Sequence, residues 1–263
     1  MSDKKVRHVL GLSGGKDSSA LAIFMRDKVP DMEYFFTDTG AELPETYEFL
    51  DKLEAYLGKP IARINATRTF DHLLKTQYND FLPSPNTRWC TRELKIRPFE
   101  EFVGDDEVVS YVGIRADEDR GGYISTKPNI TAVFPFKEAG IGYADVRRIL
   151  DDSGLGLPAY YEWRSRSGCF FCFFQRKSEW IGLHERHPQL FEEAKKYEKF
   201  DSETGSKYTW SQGESLDELL DRADAIKHAA NKKLKSIAVV TWQGKLAEIA
   251  DEEADESCLI CSL

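Results

Sequence analysis

The chain has 263 residues, of which 31% are charged and 41% hydrophobic, and its formal net charge is −9. This length suits one large α/β domain, or one such domain with a smaller appendage. No apolar run is long enough to span a membrane or to act as a secretory signal, so we expect a cytoplasmic protein with no membrane partner. The acidic balance argues against a protein that holds nucleic acid by its own electrostatics, because neutralising phosphates needs a basic face.

A glycine-rich loop lies between a predicted strand over residues 6–12 and a predicted helix that runs to about Arg26. This Ser13 loop (residues 13–18) consists of Ser13, Gly14, Gly15, Lys16, Asp17 and Ser18. Its glycines let the backbone approach an anion, and the helix N-terminus adds its positive end. A Walker A loop is excluded, because Lys16 is followed by Asp17 rather than by Ser or Thr. We therefore predict a phosphate-binding loop of another kind, in which a side chain at Gly14 would obstruct the phosphate.

The predicted elements that follow alternate between strands and helices. A strand over 32–37 ends in Asp38, Thr39 and Gly40, and a helix over 44–57 follows it. Further strands are predicted over 61–64 and 108–112. Further helices are predicted near 99–103, over 178–182, over 188–200 and after Ser215. This order predicts an α/β fold with a doubly wound, mostly parallel sheet and a helical C-terminal region. In such sheets ligands bind at the carboxyl ends of strands, so Asp38 is expected beside the Ser13 loop.

Several segments, in order, resemble the PAPS reductase-like branch of the PP-loop ATP pyrophosphatases. This branch includes sulfonucleotide reductases and DNA phosphorothioation enzymes of the DndC and SspD types. The residues that carry the resemblance are the Ser13 loop, Thr37 to Gly40 with Glu42, Pro44 and Thr46, Cys90 with Lys95 and Pro98, Gly113 to Arg115 with Glu118 and Arg120, and Arg166 to Cys172. We accordingly predict a PP-loop domain over 1–180 that includes the cysteine site, and a helical region over 181–263 with an acidic, cysteine-containing tail.

The resemblance implies a role for each part of the predicted site. The Ser13 loop would hold the phosphates of ATP, and the turn of Asp38, Thr39 and Gly40 would line the nucleoside. Catalysis would fall to Lys16, Asp17, Lys95 and Arg115, with Arg97 as a further phosphate contact. Cleavage between the α- and β-phosphates builds negative charge on pyrophosphate, which Lys16 and Mg²⁺ would offset. Asp17 or Asp38 would hold that Mg²⁺ directly or through water.

The chain has five cysteines, an odd number that makes a disulfide framework unexpected. Cys169 and Cys172 form a C-x-x-C pair, and the family pattern implies that Cys90 lies near them. Thiolates in this arrangement bind a [4Fe-4S] cluster or, as a weaker alternative, Zn²⁺. The other interpretation is that the pair is metal-free and buried among phenylalanines. Cys258 and Cys261 in the tail remain open as a fourth ligand, a persulfide acceptor or residues without a role.

The resemblance favours an ATP pyrophosphatase that activates an acceptor for sulfur transfer. We expect the acceptor to be the DNA backbone, presented by other subunits, with a cysteine desulfurase as the sulfur donor. A PAPS or APS reductase is the enzymatic alternative, although the reductase tail Glu-Cys-Gly-x-His is replaced here by a sequence that ends in Cys-Ser-Leu. A nucleotide-sensing interaction subunit without catalysis is the third possibility. The sequence leaves the oligomeric state open.

Overall fold

The computed structural model describes residues 6–119, 125–203, 205–230 and 232. The described residues form two compact units. The first contains residues 6–69 and Trp89–Gly168, and the second contains Phe70–Arg88 and the described residues from 169 onward. This division differs from the predicted boundary at residue 180, because the C-x-x-C pair belongs to the second unit.

The first unit is built on a five-stranded sheet in the order β3-β2-β1-β4-β5. The strands are β1 (Arg7–Gly11), β2 (Glu33–Asp38), β3 (Ile61–Asn65), β4 (Val108–Tyr111) and β5 (Ile130–Val133). Each neighbouring pair is parallel. β2 and β4 flank β1 on opposite sides, so the winding direction reverses between β1 and β4. The predicted doubly wound α/β fold is confirmed, and this switch point is where such sheets bind ligands.

Each predicted helix has a counterpart, but the helices over 70–76, 135–138 and 143–152 were not predicted. They are α1 (Lys16–Met25), α2 (Pro44–Leu57), α3 (Phe70–Thr76), α4 (Trp89–Thr91), α5 (Arg97–Val103), α6 (Pro135–Glu138), α7 (Tyr143–Asp152), α8 (Lys177–Arg186), α9 (Pro188–Lys195) and α10 (Leu216–Asp221). A π-helical turn, Arg92–Ile96, connects α4 to α5, and a short 3₁₀-helix spans Ala159–Glu162. The helix predicted near 99–103 therefore begins ten residues earlier, at Trp89.

Both faces of the sheet are covered, as the winding requires. On one face Leu10 and Phe36 pack with apolar residues of α1, α2 and α7. On the other face Val9 and Phe35 pack with α5, and the rings of Phe35 and Phe99 stack with centroids 5.0 Å apart. The alternation of side chains along β1 and β2 thus holds helices on both sides of the sheet.

An aromatic cluster forms the centre of the second unit. The Phe171 ring lies 4.4 Å from Phe70, 5.4 Å from Tyr197 and 5.3 Å from Trp210, measured between centroids. Phe171 stands inside the C-x-x-C sequence, so this packing explains why the pair belongs to the second unit rather than to the sheet.

The helices of the second unit match the prediction in part. The helix predicted over 188–200 ends at Lys195, because Lys199–Phe200 pairs with Lys207–Tyr208 in a hairpin, which gives β6 and β7. The capping box at Ser215 is confirmed: its backbone N–H donates to the Glu218 carboxylate at 2.8 Å, and the Glu218 N–H donates to the Ser215 hydroxyl at 3.2 Å. Within the described ranges, no helix combines the length and the apolar character needed to cross a bilayer.

Candidate active site

The Ser13 loop leaves the carboxyl end of β1 and enters α1 at the switch point of the sheet. Four of its hydroxyl and amide groups bind one another within the loop. The Ser13 N–H donates to the Ser18 hydroxyl at 3.1 Å, and the Gly15 N–H donates to the Ser13 hydroxyl at 3.3 Å. The two serine hydroxyls also lie 3.1 Å apart. These bonds hold the loop in a defined shape.

Both loop glycines are required by their surroundings. Gly14 has a left-handed φ of +70°, and a Cβ on it would lie 2.6 Å from the Thr46 methyl carbon. A Cβ on Gly15 would lie 2.8 Å from the Ser167 hydroxyl. The expectation for Gly14 is therefore corrected: a side chain there meets α2, whereas a side chain at Gly15 meets the hydroxyls beside the loop. Gly113, in the loop after β4, also lacks room for a side chain, because its Cβ would lie 3.1 Å from the Asp17 carbonyl.

Lys16 and Asp17, at the start of α1, form a partly enclosed ion pair. Lys16 is only 6% exposed, and its Nζ lies 3.2 Å from Asp17 Oδ2. Burial by itself acts to raise the pKa of the Asp17 carboxyl, but the charges of Lys16 and Arg115 outweigh it, so the pKa lies below its ordinary value. Asp17 is thus a carboxylate at neutral pH.

Arg115, in the loop after β4, connects three carboxylates. Its Nη1 lies 3.0 Å from both Asp17 Oδ1 and Glu118 Oε1, and its Nε donates to Asp117 Oδ1 at 2.8 Å. The guanidinium is 2% exposed. The predicted direct role in phosphate binding stays a prediction, whereas the observed contacts make Arg115 a positioning residue for Asp17. This network joins the loop after β4 to the Ser13 loop.

The second predicted turn lies at the end of β2, which pairs directly with β1. Asp38 Oδ1 accepts hydrogen bonds from the Gly40 N–H and the Tyr47 hydroxyl, both at 2.8 Å. The Thr39 hydroxyl donates to Glu42 at 2.9 Å. Burial, with the bond to Asp38, raises the pKa of the Tyr47 phenol well above its ordinary value, so this group remains a donor. The turn therefore lies at the same edge of the sheet as the Ser13 loop, as predicted from the strand order.

The predicted basic residues of the π-helical turn region have different environments. Lys95 is 8% exposed within the π-helical turn, a local geometry that recurs at functional sites. Arg97 is 44% exposed, and its Nη1 lies 2.7 Å from Glu93 Oε2 on the preceding turn. The charge of Arg97 is therefore engaged locally, and a phosphate contact by this residue stays a prediction. Arg120 lies outside the described residues.

The predicted cysteine site is divided between the two units. Cys90 belongs to α4 in the first unit, while Cys169 and Cys172 belong to a turn in the second, where the Cys172 N–H donates to the Cys169 carbonyl at 3.1 Å. All three are of intermediate burial, and none of them is in a disulfide. Among the described residues, no group of three or more His, Cys, Asp and Glu side chains is arranged to hold a metal. The two thiols of this turn could supply two ligands to a metal, and the full set of three cysteine ligands stays a prediction. Cys258 and Cys261 lie outside the described residues.

Sequence reasoning missed the segment that lies against the Ser13 loop. The Tyr160 hydroxyl donates to the Gly14 carbonyl at 2.7 Å, and the Ser167 hydroxyl donates to that of Ser13 at 3.2 Å. The Lys16 N–H donates to the Tyr161 hydroxyl at 3.1 Å. The sequence shows two adjacent tyrosines before Arg166, but a pair of tyrosines is not diagnostic of a binding site.

Parts of the chain are similar to known proteins. Residues 7–130, a little under half of the chain, match the phosphoadenosine phosphosulfate reductase domain. An uncharacterized protein of Methanocaldococcus jannaschii is 26% identical over 219 residues, which cover 78% of this chain and 43% of that protein. The tRNA-specific 2-thiouridylase MnmA of Ligilactobacillus salivarius is 26% identical over 191 residues, covering 59% of this chain and 50% of the enzyme. The chain thus spans about half the length of these relatives, or less.

Two solved structures are similar at a lower level. The PAPS reductase of Candida auris, a phosphate complex, has a TM-score of 0.47 and 14% identity, covering 63% of this chain and 82% of the other. The U34-tRNA thiolase NcsA of Methanococcus maripaludis, with its [4Fe-4S] cluster, has a TM-score of 0.43 and 15% identity, covering 74% and 71%. No activity follows from likeness at this level. Parts of the sheet-bearing unit are thus similar to the phosphoadenosine phosphosulfate reductase domain and to the thiouridylase.

Proposed function

We propose that this protein binds ATP at the Ser13 loop and cleaves it between the α- and β-phosphates, activating an acceptor for sulfur transfer. The observation that carries the proposal is the loop itself, a glycine turn at the switch point of a parallel sheet that leads into α1 with a buried lysine. A helix N-terminus in this position favours an anionic ligand. The match to a sulfonucleotide-reducing domain supports a nucleotide as that ligand.

The neighbouring side chains have the chemistry that this reaction needs. Lys16 is a cation held close to the loop amides, where charge would develop on the departing pyrophosphate. Asp17 is kept ionised by Lys16 and Arg115, and its remaining lone pairs suit a Mg²⁺ ion or its coordinated water. Arg115 would hold this carboxylate in place through the reaction. When bound, Mg²⁺ would neutralise part of the triphosphate charge.

We further propose a nucleic acid as the sulfur acceptor, and specifically the DNA backbone. The thiouridylase relatives support sulfur transfer to a nucleic acid, and the sequence resemblance to DNA phosphorothioation enzymes favours DNA over tRNA. Because the chain carries a net charge of −9, other subunits would present the DNA. A cysteine desulfurase would supply the sulfur as a persulfide, whose terminal sulfur would attack the adenylated acceptor and displace AMP. A second thiol would then reduce the resulting S–S bond and release the sulfur-modified acceptor.

An anaerobic sulfur-transfer reaction tests this proposal. It would contain the protein, Mg²⁺, a cysteine desulfurase, radiolabelled cysteine and either duplex DNA with its presenting subunits or bulk tRNA. We expect label in DNA with ATP or with β,γ-methylene-ATP, but none with α,β-methylene-ATP, whose α–β linkage resists cleavage. If label appears only in tRNA, the acceptor is tRNA rather than DNA, and the proposed class of reaction still holds. Label that forms equally well with α,β-methylene-ATP would contradict ATP cleavage at this bond.

Sulfonucleotide reduction is the second candidate, and the match of residues 7–130 to the phosphoadenosine phosphosulfate reductase domain favours it. It predicts sulfite release from PAPS or APS with a thiol reductant and no requirement for ATP. Assaying the same preparation for sulfite under these conditions separates the two candidates. Sulfite formation without ATP turnover would favour reduction over sulfur transfer.

A further inference from the structure

Residues 158–168 lie against the Ser13 loop and contribute side chains to it. Tyr160 is completely buried, and its hydroxyl holds the Gly14 carbonyl at 2.7 Å. Its neighbour Tyr161 stacks on it with ring centroids 4.8 Å apart. Ser13 is 8% exposed and Lys16 is 6% exposed. This segment therefore covers part of the Ser13 loop.

The bond to Tyr161 occupies an amide that an anion would use. Lys16 is the first residue of α1, a ten-residue helix, and the first amides of a helix have no partner within it. The Ser13 and Gly15 amides are bound by hydroxyls of the loop itself, whereas the Lys16 amide is bound by a hydroxyl 145 residues away in sequence, that of Tyr161. Tyr161 thus acts as an acceptor supplied from outside the loop.

The same tyrosine also lies against the Lys16 side chain. Lys16 Nζ is 5.8 Å from the centre of the Tyr161 ring and 5.6 Å from that of Tyr143. Together with the ion pair to Asp17, these contacts hold the ammonium group beside the rings. Both the amide and the ammonium group of Lys16 are therefore engaged by the same aromatic group.

The Tyr161 hydroxyl is an acceptor that an anion can displace. Burial raises the pKa of this phenol, an effect that the charge of Lys16 only partly opposes, so the phenol is neutral at neutral pH. A hydrogen bond from an amide to a charged oxygen is roughly twice as strong as one to a neutral oxygen. Exchange of the phenol for a phosphate oxygen at the Lys16 amide is therefore favourable.

We propose that Tyr161 gates the nucleotide site: its hydroxyl caps the Lys16 amide in the empty loop and gives up that amide to a phosphate oxygen when nucleotide binds. The inference rests on the proposed function, since it takes the Ser13 loop as the nucleotide site. Tyr160 has the opposite role, because its bond to the Gly14 carbonyl supports the loop and does not compete with an anion.

Titration of ATP into the full chain and its Tyr161→Phe variant tests the gate. The variant keeps the ring beside Lys16 and removes only the competing acceptor. We expect its Kd for ATP to be about fivefold lower, the effect of losing one net hydrogen bond from the empty state. Amide hydrogen exchange at Lys16 gives a second readout: exchange should be faster in the empty variant than in the empty wild type, and ATP should slow it in both.

Tyr160→Phe is the matched control, because it removes the neighbouring hydroxyl from the same aromatic pair. We expect its affinity for ATP to be unchanged or weaker. If wild type binds ATP and Tyr161→Phe binds it equally or less tightly, the gate is refuted while the nucleotide site stands. Equal tightening in both variants would also refute it, since that result indicates general loosening. If neither wild type nor Tyr161→Phe binds ATP, the proposed function is refuted and the gate with it.

Discussion

Adding one methyl group to Gly14 should destabilise the first unit through a specific collision. Gly14 has a φ of +70°, which costs an L-residue about 1–2 kcal/mol. Its Cβ would also stand 2.6 Å from the Thr46 methyl carbon, and overpacking of this kind costs about 1–3 kcal/mol. We therefore expect Gly14→Ala to lower the free energy of unfolding by roughly 3 kcal/mol, measured by equilibrium denaturation in urea.

Two further variants separate the backbone cost from the collision. Gly40 has a nearly identical φ of +71° with no atom within 4 Å of its Cβ position, so Gly40→Ala should show only the backbone cost of about 1–2 kcal/mol. Thr46→Ser removes the colliding methyl and keeps the hydroxyl. In the double variant, Gly14→Ala with Thr46→Ser, the decrease in the free energy of unfolding should be smaller than the sum of the two single decreases by about 1–2 kcal/mol. Strict additivity, or equal losses for Gly14→Ala and Gly40→Ala, would refute this reasoning.

Two other predictions concern charge and metal. Because the folded pKa of Asp17 is lowered, its ionised form should stabilise the protein above its unfolded pKa of about 3.9, and this contribution should be lost as the pH falls through the lower folded value. Asp17→Asn should therefore be less stable than wild type near neutral pH, with a gap that narrows below about pH 4 and closes below the folded pKa of Asp17 in thermal melts; a gap that stays constant as the pH falls would contradict the assignment. Anaerobically purified Cys90→Ser and Cys172→Ser proteins should lose iron while keeping wild-type circular dichroism, and full iron retention would exclude these cysteines as ligands.

The order of elements could be predicted because local signals marked their ends. Pro44 begins α2 in its first turn and Gly58 ends it with a φ of +66°, as the predicted helix over 44–57 requires. Likewise, Gly14 and Gly15 follow directly on an apolar strand, which identified the Ser13 loop. Signals of this kind depend on a few adjacent residues, so they can be recognised without knowing the rest of the fold.

The partners of the site residues could not be predicted in the same way. The contacts of Arg115 with Asp17, Asp117 and Glu118 were not predicted, while its expected phosphate contact stays a prediction. Position 14 requires glycine because a Cβ there would collide with Thr46 of α2, which lies more than thirty residues away in sequence. The role of Tyr161 likewise depends on a contact between distant segments. Such pairings arise from the fold, and residue type and spacing alone do not specify them.

The most direct test of the account is an anaerobic incubation of the protein with Mg²⁺ and α-labelled ATP, with and without candidate acceptors, in which AMP, ADP and adenylated products are resolved. The proposed reaction predicts AMP and pyrophosphate from the wild type and their loss in Asp17→Ala. ADP as the product, or no turnover of ATP under any of these conditions, would contradict the assignment of the Ser13 loop to cleavage between the α- and β-phosphates.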